Sequence, residues 1–179
     1  GHTSTVEKLI AAGADVNKAR MTTGSTPLWM AAQGGHTSTV EKLIAAGADV
    51  NKAKTTTGST PLLIAAQNGH TSTVEKLIAA SADVDKALTT DGSTALCSAA
   101  QNGHTAVVQK LIAAGADVNV ARTDHGITPL WAAAAMGHTA IVSKLLQHGA
   151  DKSIRGWQNE IPLEAAQRNN HAAIITLLA

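Results

Sequence analysis

Large aromatic side chains are almost absent from this sequence of 179 residues, which has no Phe, no Tyr and only three Trp, at positions 29, 131 and 157. A compact domain usually fills part of its core with large rings. Here the core must be built from Ala, Leu, Ile and Val. Such a core suits thin layers that pack closely together.

Cysteine and long apolar runs are also scarce. The single Cys97 excludes an intramolecular disulfide framework and a zinc site made of several cysteines. The longest apolar runs are a few residues, so we expect no membrane insertion. The formal net charge of +1 argues against a dedicated nucleic-acid binder, and the hydrophobic content of 44% argues against disorder.

The sequence is organised as an internal repeat. The dipeptide Gly-His recurs every 34 residues, and Asn170-His171 continues the series at a spacing of 33. Residues 1–19 and 35–53 are identical, and residues 69–87 differ from them only at Ser81 and Asp85. Such near-identity has two open explanations, tandem duplication or deliberate consensus construction.

The first half of each unit has the signals of a short helix. In the unit that begins near residue 21, Thr26 can cap a helix N-terminus and Pro27 fits the first helical position. This helix is predicted to end at Gln33, before Gly34-Gly35. At about two turns it would not form alone in water, so neighbouring units must hold it.

The second half of the unit predicts an amphipathic helix that starts near Thr37. Ser38 and Glu41 have the spacing of a capping box. Val40, Leu43 and Ile44 form one apolar stripe, and Gly47 is expected to stop the helix. The segment that follows is typical of an extended turn or hairpin. No unit can bury its own apolar face, so the units must stack.

The repeated unit resembles the ankyrin repeat over essentially the whole chain. The resemblance lies in Thr-Pro-Leu-x-x-Ala-Ala, followed by Gly-His, an apolar helix and Gly-Ala-Asp-Val-Asn. The resemblance implies an all-α solenoid of stacked helix–turn–helix units with short β-hairpin or turn connections. Two features depart from the family pattern. Four of the five connections carry one residue more than the usual unit of 33, which leaves the conformation of the hairpin tips open. The position after Thr-Pro-Leu holds varied residues, namely Trp29, Leu63, Cys97, Trp131 and Glu164.

We predict a single domain over residues 1–179, with about five repeats and an N-terminal half repeat. The predicted boundaries are 1–20 for the partial repeat and 21–54, 55–88, 89–122, 123–155 and 156–179 for the repeats. The stack is expected to lack a polar cap at its N-terminal end. Val6, Leu9 and Ile10 should therefore be less protected than their counterparts, and the last helix, with Leu178, should fray.

The residues that could suggest chemistry have structural explanations. Six of the eight histidines recur with the repeat, and in ankyrin repeats this His bonds between neighbouring turns, so no metal site is expected. Cys97 is interpreted as a small packing residue rather than a nucleophile. Phosphate-binding, hydrolase and metalloprotease motifs are missing. We expect no enzyme activity and no cofactor.

No signal peptide is visible, because the first residues are already the middle of a repeat, and an intracellular, cytoplasmic location is the expectation.

Variation among the copies is concentrated at the hairpin tips, and ankyrin arrays generally bind with their tips and with the exposed face of their first helices, which line a concave groove. On that resemblance we predict a partner-binding surface, here called the candidate surface. Its tip residues are Arg20, Met21, Lys54, Leu88, Arg122, His125 and Trp157, and its first-helix residues are Gln33, Gln67, Gln101, Met136 and Arg168.

Two parts of that prediction have open alternatives. Trp157 is either an exposed anchor or a ring folded back on Ile154 or Ile161 to close the stack. A basic line of Lys18, Arg20, Lys52, Lys54, Lys86 and Arg122 is either part of the surface or a solvated face.

The favoured function is a protein–protein interaction module without catalysis. The partner is another protein of acidic or mixed charge, and the chain itself is a monomer or associates weakly end to end. Two alternatives stay open: the ankyrin portion of a larger multidomain protein whose activity lies elsewhere, or an engineered or consensus scaffold with no natural partner.

Overall fold

The structure, a computed structural model, describes residues 2–179, and in that range it contains helices and turns but no strand. The helices are α1 (Thr3–Ala11), α2 (Pro27–Gln33), α3 (Thr37–Ala45), α4 (Pro61–Gln67), α5 (Thr71–Ala79), α6 (Ala95–Gln101), α7 (Thr105–Ala113), α8 (Pro129–Met136), α9 (Thr139–Gln147), α10 (Pro162–Arg168) and α11 (Ala172–Leu178), with a 3₁₀ turn at Trp157–Asn159. The even-numbered helices are the first helices of the repeats, and the odd-numbered helices are the second helices.

The first helices begin as the sequence predicts. The hydroxyl of Thr26 accepts a hydrogen bond of 3.1 Å from the backbone N–H of Trp29, and Pro27 occupies the first turn. The equivalent threonines of α4, α6 and α8 cap their helices in the same way. Because α2 has only seven residues, its packing against α3 and α4 must stabilise it.

The second helices begin differently from the prediction. α3 starts at Thr37 with His36 at the N-cap, and no side chain caps it. The predicted capping box of Ser38 and Glu41 is therefore wrong, because Ser38 already lies inside the helix. Gly47 ends the helix as predicted, with φ +85° in the left-handed region that glycine tolerates.

From α3 onward each second helix packs on its own first helix. Consecutive second helices, including α1 and α3, pack on one another, and so do consecutive first helices. The core lies between these two rows of helices. The leucine at position 43 shows the pattern, since it is 2% exposed and its counterparts Leu77, Leu111, Leu145 and Leu178 are 0–2% exposed. Leu178 is thus as buried as Leu43, contrary to the expectation of a frayed last helix.

The recurrent histidines connect neighbouring layers. The ring of His70 donates from Nε2 to the carbonyl oxygen of Gln33 over 3.0 Å. His104, His138 and His171 make the same contact one repeat further on each time, with the carbonyl oxygens of Gln67, Gln101 and Ala135. These rings have the structural role that the resemblance implies.

The hairpin tips accommodate the extra residue of the longer connections. The N–H of Lys54 donates to the carbonyl of Ser59 over 2.8 Å, with four residues between the paired ends. In the last connection Gly156 donates to Glu160 across only three. Adjacent tips touch closely: a Cβ at Gly58, where φ is +73°, would lie 2.8 Å from the backbone nitrogen of Thr89. Glycine is required there for both reasons.

Candidate functional site

The candidate surface divides into three zones along the stack, and the first zone holds free positive charge. Arg20 is exposed at the first tip, followed by the fully exposed Met21. Lys54, on the next tip, is half-buried, and its ammonium lies 5.0 Å from the centre of the Trp29 ring. This cation–π contact positions the ammonium without neutralising it. Within residues 2–179, neither Arg20 nor Lys54 makes an ion pair.

The indole of Trp29 is held in place by burial and by a hydrogen bond. It is buried, and its Nε1–H donates to the hydroxyl of Ser59 over 3.2 Å. The sequence places a Trp on the first helix but does not show that Lys54 lies above it, because the two residues stand near opposite ends of the repeat 21–54.

The second zone has its cation neutralised. The guanidinium of Arg122 lies 2.6 Å from a carboxylate oxygen of Asp124 and 2.9 Å from one of Asp91. The hydrogen bond from Arg122 holds the pKa of Asp124 below its ordinary value. One guanidinium between two carboxylates leaves a net negative charge, so the basic line does not extend to this tip. Leu88, in the same zone, is half-buried and packs against the core.

The third zone is a groove of about 390 Å³ between α8 and α10. Its floor is apolar and includes Ile127, Trp131 and Ala135. Four residues of the candidate surface line it, namely Gln101, Met136, Trp157 and Arg168. The structure therefore brings together a third of the predicted residues in one concave feature, although they come from three repeats.

Trp157 forms one wall of this groove and is 40% exposed. Its ring meets His125 of the preceding tip edge-on, with 4.3 Å between ring centroids. The indole is thus held on its neighbouring tip and still presents part of its surface to solvent. Beneath it, a Cβ at Gly156 would come within 3.0 Å of the Trp131 ring, which explains the glycine at the start of this turn.

The charge at the groove is balanced. Arg168 donates from Nε to the carboxylate oxygens of Glu160 over 3.1–3.2 Å, and its Nη2 lies 3.1 Å from one of them. The backbone carbonyl of Glu160 also accepts a hydrogen bond of 3.0 Å from Nε1–H of the buried Trp131. The wall of the groove is therefore polar at its rim and uncharged overall.

The two remaining candidates, Gln33 and Gln67, lie exposed at the ends of α2 and α4. Their backbone carbonyls are occupied by the histidine contacts described above.

The structure also shows the surroundings of the side chains that could suggest chemistry. Cys97 is buried, and burial raises the pKa of its thiol to about 11, so it is a neutral packing group near pH 7. Across residues 2–179, His, Cys, Asp and Glu side chains nowhere gather in a group of three that could hold a metal ion. In the same range, every helix is too short to cross a bilayer.

A family model described as ankyrin repeats (three copies) matches residues 1–87, 39–122, 71–156 and 97–179, and so covers the whole chain. The chain belongs to the ankyrin-repeat family. The family and the all-helical stacked architecture predicted from the sequence are confirmed. Ankyrin repeats are generally protein–protein interaction modules, and their fold is typically non-catalytic. No curated protein matches the chain.

Several residues of this surface were missed by reasoning from the sequence. Met30, on α2, is an exposed large apolar residue, and its counterpart in α4, Ile64, is buried. Asp91 and Asp124 alter the charge of their tips. The only available signal was that Met30, Asp91 and Asp124 differ from the residues at the same positions in other repeats.

Proposed function

We propose that this ankyrin array binds a partner protein through the candidate surface and has no chemistry of its own. The distribution of exposed large apolar side chains supports this most directly. Within residues 2–179 there are six, and four of them, Met21, Met30, Met136 and Trp157, lie on tips or first helices. The other two, Leu9 and Leu177, lie on the second helices at the two ends of the stack. Exposed apolar groups beside polar rims are typical of protein interfaces.

The opposite face has the character of a solvated surface. Lys42 pairs with Glu7 over 2.8 Å, and Lys76 pairs with Glu41 over 2.6 Å, so neighbouring second helices are linked by exposed ion pairs. Hydrogen bonding to these glutamates raises the pKa of both lysines. Between its ends this face offers no exposed large apolar side chain to a partner.

A differential pull-down tests the proposal. The bait is the full chain, the variant bait carries Lys54→Glu and Trp157→Ala, and the control bait carries Lys42→Glu and Lys76→Glu on the second-helix face. We expect a specific partner, identified by mass spectrometry, to be retained by the wild type and the control and lost from the tip variant. A partner lost from the control and retained by the tip variant would place the binding face on the second helices and overturn the proposal.

A further inference from the structure

The two ends of the candidate surface have different chemistry, and together they define a bipartite recognition site. We propose, resting on the function proposed above, that the surface takes an extended segment of the partner that carries carboxylates at one end and an uncharged apolar side chain at the other. The carboxylates meet Arg20 and Lys54, and the apolar side chain enters the groove between α8 and α10.

Charge places the acidic end of the segment. Arg20 and Lys54 are the cations of the candidate surface that make no ion pair within residues 2–179. Lys54 is held ready above Trp29, so little ordering is needed when it meets an anion. A carboxylate over the second zone would instead face Asp91 and Asp124 around a single Arg122, and it would be repelled.

The groove between α8 and α10 favours an uncharged apolar side chain at the other end of the partner segment. Its floor of Ile127, Trp131 and Ala135 is apolar, and its cation, Arg168, is already paired with Glu160. A charged side chain would have to give up its hydration there without gaining a free partner. An apolar side chain that enters gains contact with Met136 and Trp157, which are 51% and 40% exposed without it.

The stack fixes the spacing between the two ends. Lys54 lies against α2, and the groove lies between α8 and α10, so three steps of first-helix packing separate the two contacts. Packed helices are about 8–10 Å apart, which gives a span of roughly 24–30 Å. An extended chain advances about 3.3 Å per residue, so the acidic and apolar residues should be about seven to nine residues apart.

Selection of displayed random peptides of about 16 residues, long enough for that span, tests the proposal on the full chain. We expect enriched peptides to hold an Asp or Glu and a Leu, Ile, Met, Phe or Trp at the stated spacing. Enrichment without that spacing, or no enrichment at all, would overturn this inference. The differential pull-down would still decide the proposed function independently, because a folded partner needs no linear segment.

Double-mutant cycles with one enriched synthetic peptide locate each end. Replacing the apolar peptide residue by Ala should weaken binding by at least about tenfold to the wild type and much less to Met136→Ala. Replacing the peptide carboxylate by its amide should remove most of the salt dependence with the wild type and change little with Lys54→Gln. Lys76→Gln, on the second-helix face, is the matched control and should behave as the wild type does. Additive losses in both cycles would overturn the assignment.

Self-association is the competing occupant of the groove. Sedimentation of the chain alone, at increasing concentration, should show no dimer that depends on Met136. A dimer that Met136→Ala dissolves would assign the groove to a second copy of the chain and overturn the proposal.

Discussion

α1 and α3 have the same nine-residue sequence and the same helical structure, yet their side chains have different surroundings. Leu9 is 55% exposed, and Leu43, the same residue one repeat later, is 2% exposed. α1 has no buried residue, whereas α3 buries Thr39, Val40 and Leu43.

The C-terminal end shows which neighbour causes the difference. α11 is also the outermost second helix at its end of the stack, but it packs on its own first helix, α10, and Leu178 is buried. α1 has no first helix before it among the described residues and packs mainly on α3. Polar contacts do not explain the difference in burial, because α1 makes the same ones to α3 as α3 makes to α5. The hydroxyl contact Thr3–Thr39 corresponds to Thr37–Thr73, and the ion pair Lys42–Glu7 corresponds to Lys76–Glu41. The first helix of the same repeat therefore supplies the burial.

The largest expected effect is the contrast between two identical substitutions. Leu43→Ala should lower the free energy of unfolding by about 2–5 kcal/mol, because it leaves a cavity between layers. Leu9→Ala should change it by less than about 0.5 kcal/mol, because the side chain is largely exposed. Urea unfolding followed by circular dichroism measures both, and Leu178→Ala should resemble Leu43→Ala more than Leu9→Ala. Equal losses at Leu9 and Leu43 would break the comparison.

A smaller effect is expected where one copy departs from the others at the end of α5. Ser81 has φ +64°, a left-handed conformation that glycine adopts at the same position in other repeats, at Gly47 and Gly115. Ser81→Gly should raise the free energy of unfolding by about 0.5–1 kcal/mol, since relief of strain exceeds the added freedom of the unfolded chain. Ser81→Ala is the control and should give no gain. The reverse change at the end of α1, Gly13→Ser, should cost less than Gly47→Ser, because α1 can open without the rest of the stack.

The smallest effect concerns the turns that follow the second helices. The side chain of Asn17 accepts from the N–H of Asp49 over 2.8 Å and donates to the carbonyl of Gly47 over 3.1 Å. Asp85 stands at the equivalent position and can accept from the N–H of Asp117 but cannot donate. Asp85→Asn should stabilise the protein by about 0.5 kcal/mol, because an amide can also donate and removes a carboxylate from an acidic turn. Thermal unfolding measures this, and a destabilised Asp85→Asn variant would show that the donor is not used there.

The sequence was informative for most signals that lie within one unit, with the capping box of Ser38 and Glu41 as the exception. The cap at Thr26, the helix start at Pro27 and the stop at Gly47 depend on neighbouring residues, and the structure has each of them. The equal burial of Leu178 and Leu43 was not predicted, because it depends on packing between helices rather than on distance from the end of the chain.

The candidate surface was less predictable, since its contacts join residues that are far apart in the sequence. Lys54 over Trp29 joins the two ends of one repeat, 25 positions apart, and the ring of His125 against Trp157 joins two repeats, 32 positions apart. The sequence shows that tip residues vary from copy to copy, but it does not show which side chains meet. Arg122, which the structure removes from the basic line, meets Asp91 through the stacking of two tips, whereas its pair with Asp124 lies within one tip.

Amide hydrogen exchange in α1, α3 and α11 tests most directly the claim that each second helix is stabilised by the first helix of its own repeat. Nuclear magnetic resonance with residue assignments is needed, because α1, α3 and α5 have identical sequences and give identical fragments in mass spectrometry. We expect strong protection in α3, clear protection in α11 and little in α1. Protection in α1 equal to that in α3, or exchange in α11 as fast as in α1, would contradict the account.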